Sequence, residues 1–357
     1  MIKEIVNMIF ISRVKNIWKR IEKNISIRLK NIGHNVDNEN QKIVILNTAL
    51  ESDNLGDEII EYYYSNAIKD VVNTKEVYNV ATHRMPSERD VENLLNARYV
   101  IILGTNILSP QMELYSGWKF DDRLIKMRNV ILLGAGWWGY KKPSCYSKYV
   151  YRNILSKSII HSVRDEQTEK MLKYIGVKNV VNTNCLTMLG LEKKCANVPR
   201  LKSQSVIFTV TGVMNRTKYD IQMIRILREN YQTLYFWPQG DIDLQYLQSI
   251  DSMEKIIVLE RTFEAYTRFL KKNDKLDYIG TRLHGGIHAL QNMHRTVVVA
   301  IDNRAIEISH DTGLPIIKDN KIESDLDRLI NSEWNTEIKL NTDSISTWYK
   351  SFSNIKV

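Results

Sequence analysis

Arg282 and His284 stand two residues apart in Thr281-Arg282-Leu283-His284-Gly285-Gly286. A permanent cation beside a group that titrates near neutrality suits an anionic substrate with a proton to move. In an extended segment the two side chains project on the same side. A second arginine, Arg164, stands in Ser162-Val163-Arg164-Asp165-Glu166. Its guanidinium can grip a carboxylate or phosphate with two parallel hydrogen bonds, or pair with Asp165 at the surface. Asn54-Leu55-Gly56-Asp57-Glu58 is either an anion-binding turn at a helix N-terminus or a plain cap. Gly104-Thr105-Asn106 and Gly134-Ala135-Gly136-Trp137-Trp138-Gly139 are turns whose glycines permit close backbone approach to a ligand. Neither has the third glycine and distal acid of a dinucleotide fingerprint. Trp137 and Trp138 either stack on a sugar face or fill the core. His284 and His288 are spaced i, i+4, but no Glu or Cys completes a zinc set, so no metal is expected.

All five segments fall at the carboxyl ends of expected strands. Short β-branched apolar runs predict strands over 42–47, 99–103, 130–133 and 159–163, and again over 206–210, 233–237, 255–259, 276–280 and 296–301. Helices are expected over 57–70, 166–175, 219–229, 263–271 and near 286–291, with Gly176 at a helix end. Strands joined by helices imply parallel sheets with right-handed crossovers. The polar stretch 191–205, with Pro199, separates two such runs. The expected fold is therefore α/β: two doubly wound, Rossmann-like domains facing a cleft. They span residues 42–195 and 204–335, and a C-terminal segment covers 336–357. Ligands then belong at the strand carboxyl ends.

With 43% apolar and 25% charged residues, the 357-residue chain is neither disordered nor collagen-like nor a disulfide-rich miniprotein. Its three cysteines, Cys145, Cys185 and Cys195, lack metal-ligand spacing and fit a reducing compartment. No apolar run reaches the ~18 residues of a spanning helix. The start lacks the small-residue cleavage site of a signal peptide. The net charge is +9, and residues 1–32 hold eight Lys/Arg against Glu4 and Glu22. The body is thus near neutral. Apolar residues from Ile2 to Leu29, Phe10 and Trp18 among them, recur at steps of three and four. This basic amphipathic helix either lies on an anionic membrane surface or packs on the body or a second subunit. Residues 31–41 read as a linker. Nucleic acid is not the expected partner.

In order and spacing these segments resemble the polysaccharide pyruvyltransferase family over about residues 42–310. The marks are Asn54–Glu58, the turns at Gly104 and Gly134, Ser162–Glu166, the helix end at Ile175-Gly176, and Thr281–Gly285. The resemblance implies a GT-B-like pair of domains, acceptor side first and donor side second. It implies transfer of the pyruvyl group of phosphoenolpyruvate to two hydroxyls of a sugar, giving a cyclic ketal and free phosphate. Arg164 and Arg282 would then bind phosphoenolpyruvate, His284 would act as acid/base, and Arg282 would stabilise the departing phosphate. Asn54, Gly56, Asp57, Gly104, Asn106, Gly134, Gly136 and Gly285 would complete the substrate site. No cofactor or metal is implied beyond the donor substrate itself. The expected partners are phosphoenolpyruvate, a glycan or lipid-linked oligosaccharide acceptor, and an anionic membrane surface reached through residues 1–32. The expected location is cytoplasmic, peripheral at the inner face of the cell membrane. One departure is Asn184-Cys185, where the family usually has Asp-Pro. The alternatives are a GT-B-type glycosyltransferase using a nucleotide-sugar, and an inactive membrane-peripheral glycan-assembly protein.

Overall fold

The computed structural model describes residues 42–73, 77–115, 117–214 and 216–355. The basic helix expected over 1–32 and the linker after it lie outside these residues. Strand β1 (Ile43–Asn47) is buried at every position, because it lies inside a parallel sheet covered on both faces. Helix α1 (Leu55–Ile68) follows, capped by Asn54, with Asp57 and Glu58 in its first turn. Then come β2 (Tyr78–Ala81), α2 (Glu88–Asn96), β3 (Tyr99–Leu103), β4 (Val130–Leu133) and α3 (Cys145–Ile154). The lobe ends with β5 (His161–Val163), α4 (Glu166–Ile175) and β6 (Val180–Asn182). Gly176 closes α4 at φ +105°, in the left-handed region that glycine adopts without strain. The sheet order is β2-β1-β3-β4, and a bridge from Ala135 to Val163 links its edge to the β5–β6 pair.

The connecting stretch carries the short helix α5 (Leu191–Lys194). The second lobe then runs β7 (Ser205–Thr209), α6 (Thr217–Asn230), β8 (Thr233–Phe236), α7 (Asp243–Ile250), β9 (Ile256–Val258) and α8 (Phe263–Lys272). It continues with β10 (Leu276–Gly280), α9 (Leu283–Gln291), β11 (Arg295–Ala300), α10 (Asn303–Thr312), β12 (Ile316–Lys318) and α11 (Ile322–Asn331). Its parallel order, β12-β11-β10-β7-β8-β9, reverses direction between β7 and β10. Helix α12 (Thr342–Phe352) returns to the first lobe, where Trp348 and Phe352 pack with Ile131 and Ile159. Among the described residues no helix is long and apolar enough to cross a membrane.

The two lobes share apolar contacts. Leu55 and Ile59 pack with Trp237, Tyr266 and Tyr278, and Cys185 and Met188 pack with Leu283 and Ile287. The expected α/β architecture of two Rossmann-like lobes is the observed one. Each sheet has a switch point, β1/β3 in the first lobe and β7/β10 in the second. Chains leaving neighbouring strands in opposite directions open a crevice there.

A candidate substrate cleft between the switch points

A cleft of about 670 Å³ opens at these two points. Asn54, Asp57, His83 and Thr105 line it from the first lobe, and Gly240, Arg282 and Arg304 from the second. Three expected site residues, Asn54, Asp57 and Arg282, thus meet around one cleft. Asn54 also joins the lobes, because its Oδ1 accepts from Gln239 Nε2 at 2.7 Å.

Arg282 is the N-cap residue of α9, with extended backbone (φ −89°, ψ 96°). Its guanidinium is gripped by Asp243: Nε donates to Oδ2 at 3.0 Å and Nη2 donates to Oδ1 at 2.5 Å. Asp243 is fully buried and also accepts from the backbone N–H groups of Gly212, Gln239 and Gly240. Arg282 is therefore held rigidly at the N-terminus of α9, where an anion is favoured.

The helix starts three residues earlier than the expected 286, and this corrects the extended reading of Arg282 and His284. Leu283 and His284 already turn with α9, so the two side chains part. Arg282 faces the cleft and Asp243. His284, only 5% exposed, places Nε2 3.8 Å from Cys185 Sγ. That sulfur lies 3.0 Å from Thr187 Oγ1 and 3.8 Å from the Tyr64 hydroxyl. Burial pushes the His284 pKa down to about 3, the Arg304 and Arg164 charges add to it, and Asp302 opposes them. The ring is neutral at ordinary pH.

Among the other cleft residues, Arg304 and His83 were not singled out by the sequence reading. Arg304, in the first turn of α10, is held by Asp302 through Nε and Nη2. The available signal was a third arginine at a strand-to-helix turn, after β11. His83 follows β2, and its Nε2 lies 3.0 Å from the Thr48 carbonyl and 3.6 Å from Asp57 Oδ2. Two acceptors on one nitrogen fix the proton there and leave Nδ1 to titrate. The Asp57 carboxylate beside it raises the His83 pKa, against the opposing effect of burial. No local pattern signals His83, because its partner arrives from another strand end.

Arg164 lies behind the cleft and is 1% exposed. It donates through Nε to Asp165 at 3.0 Å and through Nη2 to Asn106 Oδ1, while Nη1 is buried with no partner among the described residues. Its charge acts on His284 rather than facing the cleft wall. The glycines serve chain packing. A Cβ on Gly136 would sit 2.1 Å from Arg164 Cζ. One on Gly104 would sit 2.3 Å from the Gly134 carbonyl oxygen, which accepts from Tyr64. Gly56 and Gly285 both pack on Gln239. Gly136→Ala is expected to lower stability by about 1–3 kcal/mol, as overpacked cores do. A melting curve unchanged from wild type would show that Arg164 moves aside freely. Trp137 fills the core, whereas Trp138 is 43% exposed.

Among the described residues, Glu166, His310 and Asp311 form a group with metal-ligand spacing. Asp311 Oδ2 is already taken by the Glu166 N–H and Asn182 Nδ2, both at 2.7 Å. The group works as a clasp between the lobes.

A sequence model described as Polysaccharide pyruvyl transferase matches residues 54–303. Among solved structures, the chain resembles UDP-GlcNAc 2-epimerase from Methanocaldococcus jannaschii, in complex with UDP-GlcNAc and UDP. There the identity is 12%, the TM-score 0.49, and 88% of this chain and 97% of that chain are covered. MnaA from S. aureus, with UDP, matches at 11% identity and TM-score 0.49, covering 88% and 90%. A glycosyltransferase from Rickettsia africae matches at 12% identity and TM-score 0.45, covering 89% and 93%. No curated protein matches the chain.

Proposed function

The chain belongs to the polysaccharide pyruvyl transferase family, and from that premise we propose that it transfers the pyruvyl group of phosphoenolpyruvate to two hydroxyls of a sugar. The acceptor is a cell-surface polysaccharide or its lipid-linked precursor. The observation that carries this reading is one cleft that presents Arg282 and Arg304, the α9 N-terminus and His83 together. A small ligand with a phosphate and a carboxylate fits two fixed guanidinium groups and a helix start.

The two histidines divide the proton work, because their surroundings push their pKa values apart. His83, held towards its charged form by Asp57, donates to the methylene carbon of the donor and leaves an oxocarbenium-like centre at C2. A sugar hydroxyl attacks C2, and neutral His284 receives the proton it sheds. The C2–O bond to phosphate breaks, with Arg282 stabilising the charge that develops. The second hydroxyl then closes the ketal and returns a proton to His83, while His284 passes its own to the departing phosphate. Of the two hydroxyl protons, one ends on the new methyl group and the other on hydrogen phosphate, so the balance closes without metal or redox chemistry.

This division predicts a pH profile. His284 stays neutral between about pH 5 and 8, so in that range the protein's own part of kcat/KM reports His83, alongside the donor phosphate, which itself ionises at about pH 6. The raised pKa of His83 means that its acid form, and activity with it, is present at lower pH and lost as pH climbs through that value. Asp57→Asn is expected to move this limb to lower pH. An unmoved limb would assign the titration to another group.

Residues 1–32 are proposed to hold the protein at the inner membrane face. Each Lys or Arg near an anionic surface contributes ~1 kcal/mol, and salt weakens that part. Deleting residues 1–32 is expected to abolish sedimentation with phosphatidylserine vesicles and leave donor binding intact. A full-length chain that ignores such vesicles at low salt would contradict the proposal. For the donor, thermal stabilisation by phosphoenolpyruvate and not by UDP-GlcNAc is the expected result. The reverse preference would support the nucleotide-sugar alternative.

A further inference from the structure

We propose that a cavity beside the cleft, on the first lobe, is a sugar-binding subsite that holds a second residue of the acceptor glycan. The proposal rests on the acceptor being a glycan, as in the function proposed above. The cavity measures about 210 Å³. That is below the ~300–1,000 Å³ of drug-sized pockets, and it suits one ring rather than a chain. Tyr115, Trp118, Phe120 and Tyr146 form its walls, with Trp118 and Phe120 set edge to face at 5.0 Å. Glu113 and Asp122 stand among them. A pyranose has apolar C–H faces and a polar hydroxyl rim, so aromatic walls interleaved with carboxylates match its two chemistries.

Two chain connections join the walls of the cavity to those of the cleft. The Lys119 N–H donates to the Thr82 carbonyl at 3.0 Å, and Met85 lines the cavity two residues after His83 lines the cleft. On the other side, the Tyr115 ring meets the Trp138 ring at 4.0 Å. Trp138 precedes Gly139, whose N–H donates to Asn303 beside Arg304. A chain whose reacting sugar lies between His83 and Arg304 thus has a neighbouring place for the next ring. Met85, Leu114, Tyr115 and Trp138 are 56, 52, 50 and 43% exposed. Four large apolar side chains left open in one patch mark an interaction site. The concave shape and the carboxylates favour a glycan over a protein face.

The test uses the full-length chain without phosphoenolpyruvate. Linear tetrasaccharides of glucose, galactose, mannose and N-acetylglucosamine, with the matching monosaccharides, are titrated by saturation-transfer NMR. At least one tetrasaccharide is expected to bind at least tenfold more tightly than its monosaccharide. Tyr115→Ala and Trp138→Ala, both at exposed positions, are each expected to weaken it about tenfold. Tyr174→Ala, an exposed ring on α4, is the control and leaves binding unchanged. Tetrasaccharides that do not bind the wild type, or that bind Tyr115→Ala and Trp138→Ala as they bind the wild type, overturn the subsite. A parallel melting series with phosphoenolpyruvate separates the two ideas. Glycan binding without a donor response sinks only the donor reading, and a donor response without glycan binding sinks only the subsite.

Discussion

His284→Ala is expected to retain phosphoenolpyruvate binding and lose turnover by about a hundredfold or more, the usual worth of a positioned acid/base. The free protein keeps this imidazole neutral through burial and two arginine charges. A neutral ring can accept the hydroxyl proton, and an anionic donor nearby then favours the charged form it takes. The competing reading is structural, since the ring is nearly buried against Cys185. His284→Gln separates the two. It keeps a polar group near the sulfur but cannot act as a base, so it is expected to melt like wild type and remain inactive. An active Gln variant would make His284 a packing residue.

Arg282→Ala is expected to cost both binding and fold. Asp243 would remain fully buried without its cation, and breaking a buried pair from one side costs about 3–5 kcal/mol. Three backbone N–H groups still serve Asp243, which places the loss at the lower end of that range. Adding Asp243→Ala is expected to recover most of the melting temperature and none of the donor binding. Arg282→Lys keeps a charge but not the two-pronged fork, so it too is expected to lose the donor. Near-normal donor affinity in the Lys variant would remove Arg282 from the binding site.

What the sequence disclosed follows from burial. β1, β3 and β4 are buried on both faces, so each reads as an unbroken apolar run. β2 is an edge strand with Tyr78 and Asn79 partly exposed, and leaves no such run. The start of α9 was obscured because Gly285 and Gly286 disfavour a helix by about 1 kcal/mol each. Packing of Gly286 on Tyr278 and Val298 overrides that preference. Arg164 and Arg282 were legible as arginines at strand ends, and Arg304 carries the same pattern. His83 was not legible, because Asp57 gives it meaning only across the sheet. The glycine turns stand where expected, and what they visibly seat is Arg164 and Tyr64.

The central claim is the transfer of a pyruvyl group from phosphoenolpyruvate to a glycan. The direct measurement is to incubate the full-length protein with phosphoenolpyruvate and envelope glycans, following released phosphate and the NMR spectrum of the recovered glycan. The account predicts phosphate release that depends on the glycan, matched one for one by a new ketal methyl signal, with both absent in His284→Gln. Glycan-dependent turnover of a UDP-sugar, with phosphoenolpyruvate left intact, would contradict it.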